Sequence, residues 1–217
     1  MKQYQEVTIW DAVTPKAIGS STDATPVVVT ATSHGYSTGD KVIINGHATN
    51  IAANGIFKIT VVSSSTFSLQ DINTGANIAG SGAGAGTATG IVALAPKIVL
   101  VEDFLNVVLQ VNTSGSANFT LKLAGSIGKS RVNVSAQHGD TPNFGATQTV
   151  ANPYSFIQAI NLATAAAIDG ATGVTSAGTD IHNLYEVNVN GVKYLTIVPT
   201  AWAVGAITIK AMLYSNE

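Results

Sequence analysis

Apolar and polar residues alternate with a period of two through most of this chain, and this pattern constrains the fold more than any other feature. In GIFKITVVSSSTFSLQ, the side chains of Phe57, Ile59 and Val61 alternate with those of Lys58 and Thr60. Such alternation is typical of strands that bury one face, and Gly, Asn, Asp and Ser bound each short run. The sequence therefore predicts an all-β fold of short antiparallel strands, in the class of sandwiches and barrels.

Turn-forming residues separate the later strands. NTSGSAN, residues 112–118, lies between the alternating segments VVLQV and NFTLKL, and it predicts a turn between two strands. Asn190-Gly191 is the pair best suited to a type I′ turn, and it predicts a hairpin within YEVNVNGVKYLTIV. GAITIKAMLY then supplies a last strand.

One segment fits a helix and a strand about equally well. NPYSFIQAINLATAAA, Asn152 to Ala167, starts with Asn-Pro and continues into alanine, which favours a helix. Its apolar residues Phe156, Ile160 and Leu162 also fit a strand. Both interpretations stay open on the sequence alone.

Low charge limits the classes of partner. Charged residues make up 10% of the chain, with ten Lys+Arg against twelve Asp+Glu, whereas about 25% is typical. Without clustered basic residues we expect no nucleic-acid partner. Weak repulsion between copies favours a homo-oligomer or docking on another protein.

Cysteine and long apolar runs are both missing from the sequence. The lack of cysteine excludes disulfides, thiol nucleophiles and thiolate metal sites. No apolar run approaches the ~18 residues needed to span a bilayer, and the start MKQYQEVTIW lacks a signal-peptide layout. We therefore expect no membrane partner and a chain that is made and used without export by its own signal. The motifs at Asn112, Asn118 and Asn133 match N-glycosylation acceptors by chance in a chain rich in Asn, Ser and Thr.

HGYSTGDKVIING is the first stretch in which a site has to be weighed against a turn. It contains His34 and Asp40 on either side of a Ser-Thr-Gly turn, with His47 just beyond. A metal site needs at least three converging ligands, and this spacing supplies no His-X-His or helical pair. Asp40 precedes a strand, where its carboxylate can accept backbone N–H bonds. The sequence therefore predicts turn residues here, in the first hairpin of a small module.

The remaining acidic and histidine residues give no complete catalytic, cofactor or metal constellation. Glu102 and Asp103 are adjacent, so a strand would point them to opposite faces. The other pairs are His138 with Asp140 in a loop and Asp180 with His182 on one side of a strand. A hydrolase built from these four residues is the enzymatic alternative, and it requires them within hydrogen-bond reach. The run GSGAGAG lacks the Gly-Lys-Ser/Thr ending of a phosphate loop. We expect no catalytic residue, no bound cofactor and no metal.

Aromatic residues leave two interpretations open. Trp10, Trp202 and the six tyrosines could form a platform for stacking sugars, or they could fill a β core and anchor an interface. No spacing between them selects one of the two.

Part of the N-terminal half resembles a known small module. VVVTATSHGYSTGDKVIINGHATNIAANGIFKITVVSSSTFSLQ resembles the β module named after the first catalytic-cysteine half-domain (FCCH) of ubiquitin-activating enzymes, which also occurs in tailed-phage virion proteins. The resemblance covers about a fifth of the chain and rests on the HGYSTGDKVIING, NGIFKIT and STFSL elements in order. It implies a packing or interaction module, and the lack of cysteine rules out ubiquitin chemistry.

The flanking segments resemble a β-sandwich structural protein of tailed bacteriophages. The similarity rests on VTIWDAVTPKAIGSS, FLNVVLQVNTSGSANFTLKLAGSI, NPYSFIQAINL, GTDIHNLYEVNVNGVKYLTIV and GAITIKA. It implies a jelly-roll-like sandwich of residues 1–23 and 91–217, with a small barrel-like module at 24–90 inserted in a loop. Insertion is inexpensive because closure entropy grows slowly with loop length. The Gly/Ala-rich run 73–90 buries too little surface to fold by itself and is expected to be a long hairpin loop or a linker.

The resemblance implies a non-enzymatic structural protein of the virion, as a capsid decoration or auxiliary head protein that docks by β-surface contacts. Its expected partners are the major capsid protein or tail proteins, and further copies of itself. The alternative is a tail or fibre component, including a module that attaches to host glycans through exposed aromatic residues.

Overall fold

The alternating segments form strands throughout the computed structural model, which describes residues 3–72, 74–82, 90–94, 99–127 and 155–215. Within these residues the strand pairing is antiparallel, so the prediction of an all-β antiparallel fold is confirmed. One 3₁₀ helix, Ile51–Ala53, accompanies the strands. The strands are β1 (Gln3–Val13), β2 (Lys16–Ile18), β3 (Ser20–Ser21), β4 (Val28–Thr30), β5 (Lys41–Asn45), β6 (Gly55–Ser63), β7 (Thr66–Gln70), β8 (Gly90–Leu94), β9 (Val99–Leu100), β10 (Asn106–Ser126), β11 (Ser155–Phe156), β12 (Ala159–Asn161), β13 (Ala166–Ile168), β14 (Val174–Thr179), β15 (His182–Asn188) and β16 (Tyr194–Ser215).

Two long strands organise the larger of two compact units, which comprises 3–15, 99–127 and 155–215 among the described residues. β10 and β16 pair with each other from Asn106↔Tyr214 to Ser126↔Tyr194. Their halves have different outer neighbours: β15 and β1 flank one half, and β14, β11 and β9 flank the other. β12 and β13 extend the sheet beyond β15.

A bend near the middle of β10 and β16 lets each strand pass from one layer of a sandwich to the other. Between Ser114 and Asn118 the register shifts, because three residues of β10 oppose one residue of β16. Gly115 and Gly205 have positive φ angles at this point, of 66° and 91°. Bulges of this kind bend a strand so that it passes from one layer to the next. NTSGSAN is therefore a bend within one strand, and the prediction of a turn between two strands there is wrong.

Alternation along β10 and β16 supplies the core of the larger unit. Val107, Leu109 and Val111 are buried, as are Phe119 and Leu121 beyond the bend. The predicted last strand is confirmed by four buried residues at every second position, Ile207, Ile209, Ala211 and Leu213.

The segment around residue 160 consists of strands. β11, β12 and β13 occupy 155–156, 159–161 and 166–168, with a turn at 162–165. Ile160 pairs with Glu186 of β15. The strand interpretation is confirmed and the helix is wrong within 155–167, because β10 and β15 offer backbone partners that outweigh the helix propensity of alanine. Residues 152–154 lie outside the described part of the chain.

The smaller unit comprises 16–72, 74–82 and 90–94 among the described residues, and its sheet closes on itself. The strand order is β2-β8-β5-β6-β7-β4-β3. Its first and last strands, β2 and β3, are consecutive in the chain and separated only by Gly19, whose N–H donates to the carbonyl of Thr30. The segment 16–21 pairs with β8 through β2 and with β4 through β3. It therefore joins the two edges of the sheet, and the module is barrel-like, as predicted.

One apolar cluster fills this barrel. Its members come from nearly every strand, and Tyr36, Val61 and Ile78 pack at its margin. The buried residues are Ile18, Val27, Val29, Ala31, Val42, Ile44, Ala53, Phe57, Ile59, Phe67 and Leu69.

The strand pairing extends the module beyond residues 24–90, the range predicted from the sequence. Segments 16–21 and 90–94 pair within its sheet. The described start of the Gly/Ala-rich run also belongs to the module, because Ile78 N–H donates to Leu69 O and Gly80 N–H to Ala24 O. Residues 83–89 lie outside the described part.

Candidate functional site

His34 has both ring nitrogens occupied. Its Nε2 lies 3.0 Å from the carbonyl oxygen of Ser63, and its Nδ1 accepts the N–H of Tyr36 at 2.9 Å. The ring is buried and stacks on Tyr36 with centroids 5.3 Å apart. These contacts leave no nitrogen lone pair for a metal ion, and they make His34 a residue that fixes the segment before β5.

Asp40 acts as predicted, since its Oδ2 accepts the N–H of Ser37 at 2.8 Å. Burial, together with the charge of Asp40, raises the pKa of Tyr36. The segment is a connection and not a hairpin, because β4 and β5 are separated in the sheet by β6 and β7. The prediction of turn residues is confirmed and that of a first hairpin is wrong.

His47 belongs to a buried polar network that sequence reasoning missed. Its Nδ1 lies 3.3 Å from Ser21 Oγ, which also accepts from Asn50 Nδ2. Asn54 makes two hydrogen bonds to the backbone of His47, and Asn50 Oδ1 accepts from Ser81 N–H. His47 Nε2 is buried without a hydrogen-bond partner. Burial lowers the pKa of His47 to about 4, so the imidazole is neutral at pH 7.

The Ser21–His47 contact has the atoms of a nucleophile and a base, but its surroundings do not suit catalysis. Both side chains are buried, at 2% and 3% exposure. A catalytic histidine is oriented by a carboxylate on its second nitrogen. His47 Nε2 has no such partner. The network instead joins the end of β3, the connection between β5 and β6, and Ser81 in the segment after β7.

The other described candidate residues each have a separate backbone or side-chain partner. Asp180 Oδ1 accepts the N–H of Gly115 at 2.8 Å, whereas His182 Nδ1 lies 3.1 Å from Asn112 Oδ1. Glu102 forms an ion pair with Lys193 at 3.3 Å. His138 and Asp140 lie outside the described residues.

The described ranges hold no group of three or more His, Asp or Glu residues placed to bind a metal. Over the same ranges, no helix is long and apolar enough to cross a membrane.

The tryptophans belong to the core. Trp10 and Trp202 are 1% and 4% exposed, and their ring centroids lie 5.3 Å apart. Trp202 Nε1 donates to the carbonyl oxygen of Gly205 at 3.0 Å, at the bend of β16. Neither ring is available for stacking on a sugar, so only exposed tyrosines can serve that interpretation.

Exposed apolar side chains concentrate on one surface, the outer face of the sheet formed by β1, β16, β10, β15 and β12. Five of the ten exposed large hydrophobic side chains of the described residues lie on this face, Tyr4, Ile160, Leu162, Leu184 and Met212. Ile160 and Leu162 are two residues apart, and Leu162 N–H donates to Leu184 O. We call Ile160, Leu162 and Leu184 the aliphatic patch.

A shallow cleft occupies the β1 side of the same face. Its volume is about 550 Å³, and Val108 and Ala211 contribute to its lining. We call it the tyrosine cleft, and its other lining residues are Tyr4, Glu6, Gln110, Leu184, Lys210, Met212 and Tyr214, so Leu184 borders both the cleft and the aliphatic patch.

Charged groups of this face are paired. Lys210 Nζ lies 3.7 Å from Glu6 Oε1, and the hydroxyl of Tyr214 donates to Glu186 Oε1. Burial and the hydrogen bond to Glu186 raise the pKa of Tyr214 to about 12, which keeps the phenol protonated. The outer face thus combines an apolar surface with polar groups and little net charge.

No family model matches this chain. A search of curated proteins likewise found no match.

Proposed function

We propose that this protein is a non-enzymatic structural protein of a tailed-phage virion, which docks on other virion proteins through the outer face of its larger unit. The observation that carries the proposal is the aliphatic patch, in which three neighbouring aliphatic side chains are each more than 40% exposed. Grouped apolar side chains on a polar surface mark sites where proteins contact other proteins. The resemblance of the chain to phage β-sandwich proteins supports placement in a virion.

The use of the polar residues supports the same conclusion. Within the described ranges, His34, Asp40 and Asp180 form hydrogen bonds to backbone atoms. Ser21 and His47 are enclosed in the barrel. These residues fix connections between strands, which is the work expected of side chains in a structural protein.

The low charge of the chain suits a protein packed at high local concentration. With 10% charged residues and a net charge of −2, neighbouring copies repel each other weakly. We favour capsid decoration, with the major capsid protein as the partner, over a position in the tail.

Electron cryomicroscopy of the virion tests this proposal. We expect density for the larger unit on the capsid surface, with the aliphatic patch buried against another protein. Density along the tail would move the protein to tail assembly. Virions that lack the polypeptide would refute the virion role.

A charge substitution tests the patch itself. We expect Leu162→Lys, at a patch residue that does not line the tyrosine cleft, to reduce incorporation into particles, because a charge buried without a partner opposes docking. Val62 is 63% exposed in the smaller unit and provides the matched control. Equal incorporation of Leu162→Lys and Val62→Lys particles would exclude the aliphatic patch as the docking surface.

A further inference from the structure

We propose that the tyrosine cleft binds an uncharged saccharide. This inference does not depend on the virion role, because it follows from the shape and chemistry of the cleft.

Two tyrosines stand side by side at one end of the cleft. Tyr4 of β1 and Tyr214 of β16 are directly opposite each other, and such cross-strand neighbours have Cβ atoms about 4.5–5.5 Å apart. Tyr4 is 59% exposed. The hydroxyl of Tyr214 is fixed by Glu186. A pyranose ring has one face of C–H groups, which packs on an aromatic ring as other apolar groups do.

Polar side chains border this apolar surface. Gln110 is exposed and lies opposite Lys210 on the neighbouring strand. Lys210 and Glu6 are about half exposed on their side chains, so each keeps capacity for further hydrogen bonds. An amide, a carboxylate and an ammonium group together can donate to and accept from the hydroxyls of a sugar.

The charge of the cleft favours a neutral ligand. Lys210 is already paired with Glu6, and Glu186 accepts from Tyr214. An anionic ligand would meet the carboxylate of Glu6 in the lining, with Glu186 behind Tyr214, and only one cation, which is already paired. A neutral polyhydroxylated ligand meets no such repulsion.

The shape of the cleft favours a saccharide over a second copy of the chain as its occupant. The volume of about 550 Å³ falls within the range of about 300–1,000 Å³ that is usual for small-ligand sites. A two-fold dimer would place this concave surface against its own copy, and two concave surfaces touch only at their rims. A sugar ring or a short oligosaccharide fills the concavity instead.

Binding of the full chain to an array of neutral and anionic oligosaccharides, followed by calorimetric titration of the strongest neutral ligand, tests the proposal. We expect Tyr4→Ala and Gln110→Ala each to weaken binding, Tyr4→Ala by roughly tenfold, the effect of losing one aromatic contact. Both residues are exposed, so both variants are expected to fold. Val62→Ala, a truncation in the other unit, is expected to bind like the wild type.

Four outcomes would overturn the proposal. They are no binding to any oligosaccharide on the array, binding restricted to anionic oligosaccharides, and wild-type affinity in both cleft variants. The fourth is self-association that Tyr4→Ala abolishes in sedimentation velocity, which would assign the cleft to a second copy. None of these results bears on whether the protein is present in virions, so the two proposals fail separately.

Discussion

Acidification is expected to destabilise the smaller unit through His47. The folded module lowers the pKa of this imidazole from 6.5 to about 4 by burial. Between pH 6.5 and about pH 4, His47 therefore binds a proton in the unfolded chain but not in the folded module. The free energy of unfolding falls as the pH drops through this range and levels off below about pH 4. At about 1.4 kcal/mol per pH unit, the total loss is about 3 kcal/mol.

Hydrogen exchange of peptides from 41–71, measured from pH 7 to pH 4, follows the module directly. His47→Asn removes the titrating ring and keeps an amide that can contact Ser21. We expect this variant to be less stable at pH 7 and to show a shallower pH dependence than the wild type. Trp10 and Trp202 both lie in the larger unit, so their fluorescence monitors that unit separately.

The comparison with a second histidine isolates the effect. His182→Asn removes an exposed histidine of the larger unit, and the pH dependence of the module should remain that of the wild type. Equal pH slopes for wild-type and His47→Asn modules would show that burial of His47 does not control the acid response, and the reasoning above would fail.

Two further stability predictions follow from packing and backbone conformation. Phe57 is fully buried in the barrel, so Phe57→Ala should lower the free energy of unfolding by about 3–5 kcal/mol in denaturant titrations. Val62 is exposed, so Val62→Ala should change this free energy by less than about 0.5 kcal/mol. Similar losses in both variants would contradict the assigned core. A Cβ at Gly205 would lie 2.7 Å from the carbonyl oxygen of Ser116, but one at Gly191 meets nothing within 4 Å, although both residues have positive φ. Gly205→Ala should therefore lower the melting temperature more than Gly191→Ala, and the reverse order would exclude a tight bend in β10 and β16.

Turn-forming residues lie at two places where the predicted connection is wrong. Gly115 and Gly191 both have positive φ, but Asn190 does not, so the type I′ turn predicted at Asn190-Gly191 is wrong as well. Nevertheless, β10 continues through 112–118, and Asn190-Gly191 joins β15 to β16, which lie on opposite sides of β10. A turn residue sets the local backbone direction, but the strand with which the next segment pairs depends on residues far away in the sequence.

The candidate sites show the same division. Asp40 and its partner Ser37 are three residues apart, so the turn could be predicted from the sequence. Ser21 and His47 are 26 residues apart. Tyr4 and Tyr214 come from opposite ends of the chain. No local spacing in the sequence indicates either of these pairs.

Alternation is a property of a single strand, so the sequence is enough to predict an all-β chain and the side chains that share a face of each strand. The closure of the barrel by β2 and β3, the passage of β10 and β16 through both layers of a sandwich, and the exposure of the tyrosine cleft on one sheet face could not be predicted in this way. Strand pairing uses the same backbone hydrogen bonds for every partner, and closure entropy depends only weakly on separation along the chain. Neighbours are therefore selected by the packing of the whole core.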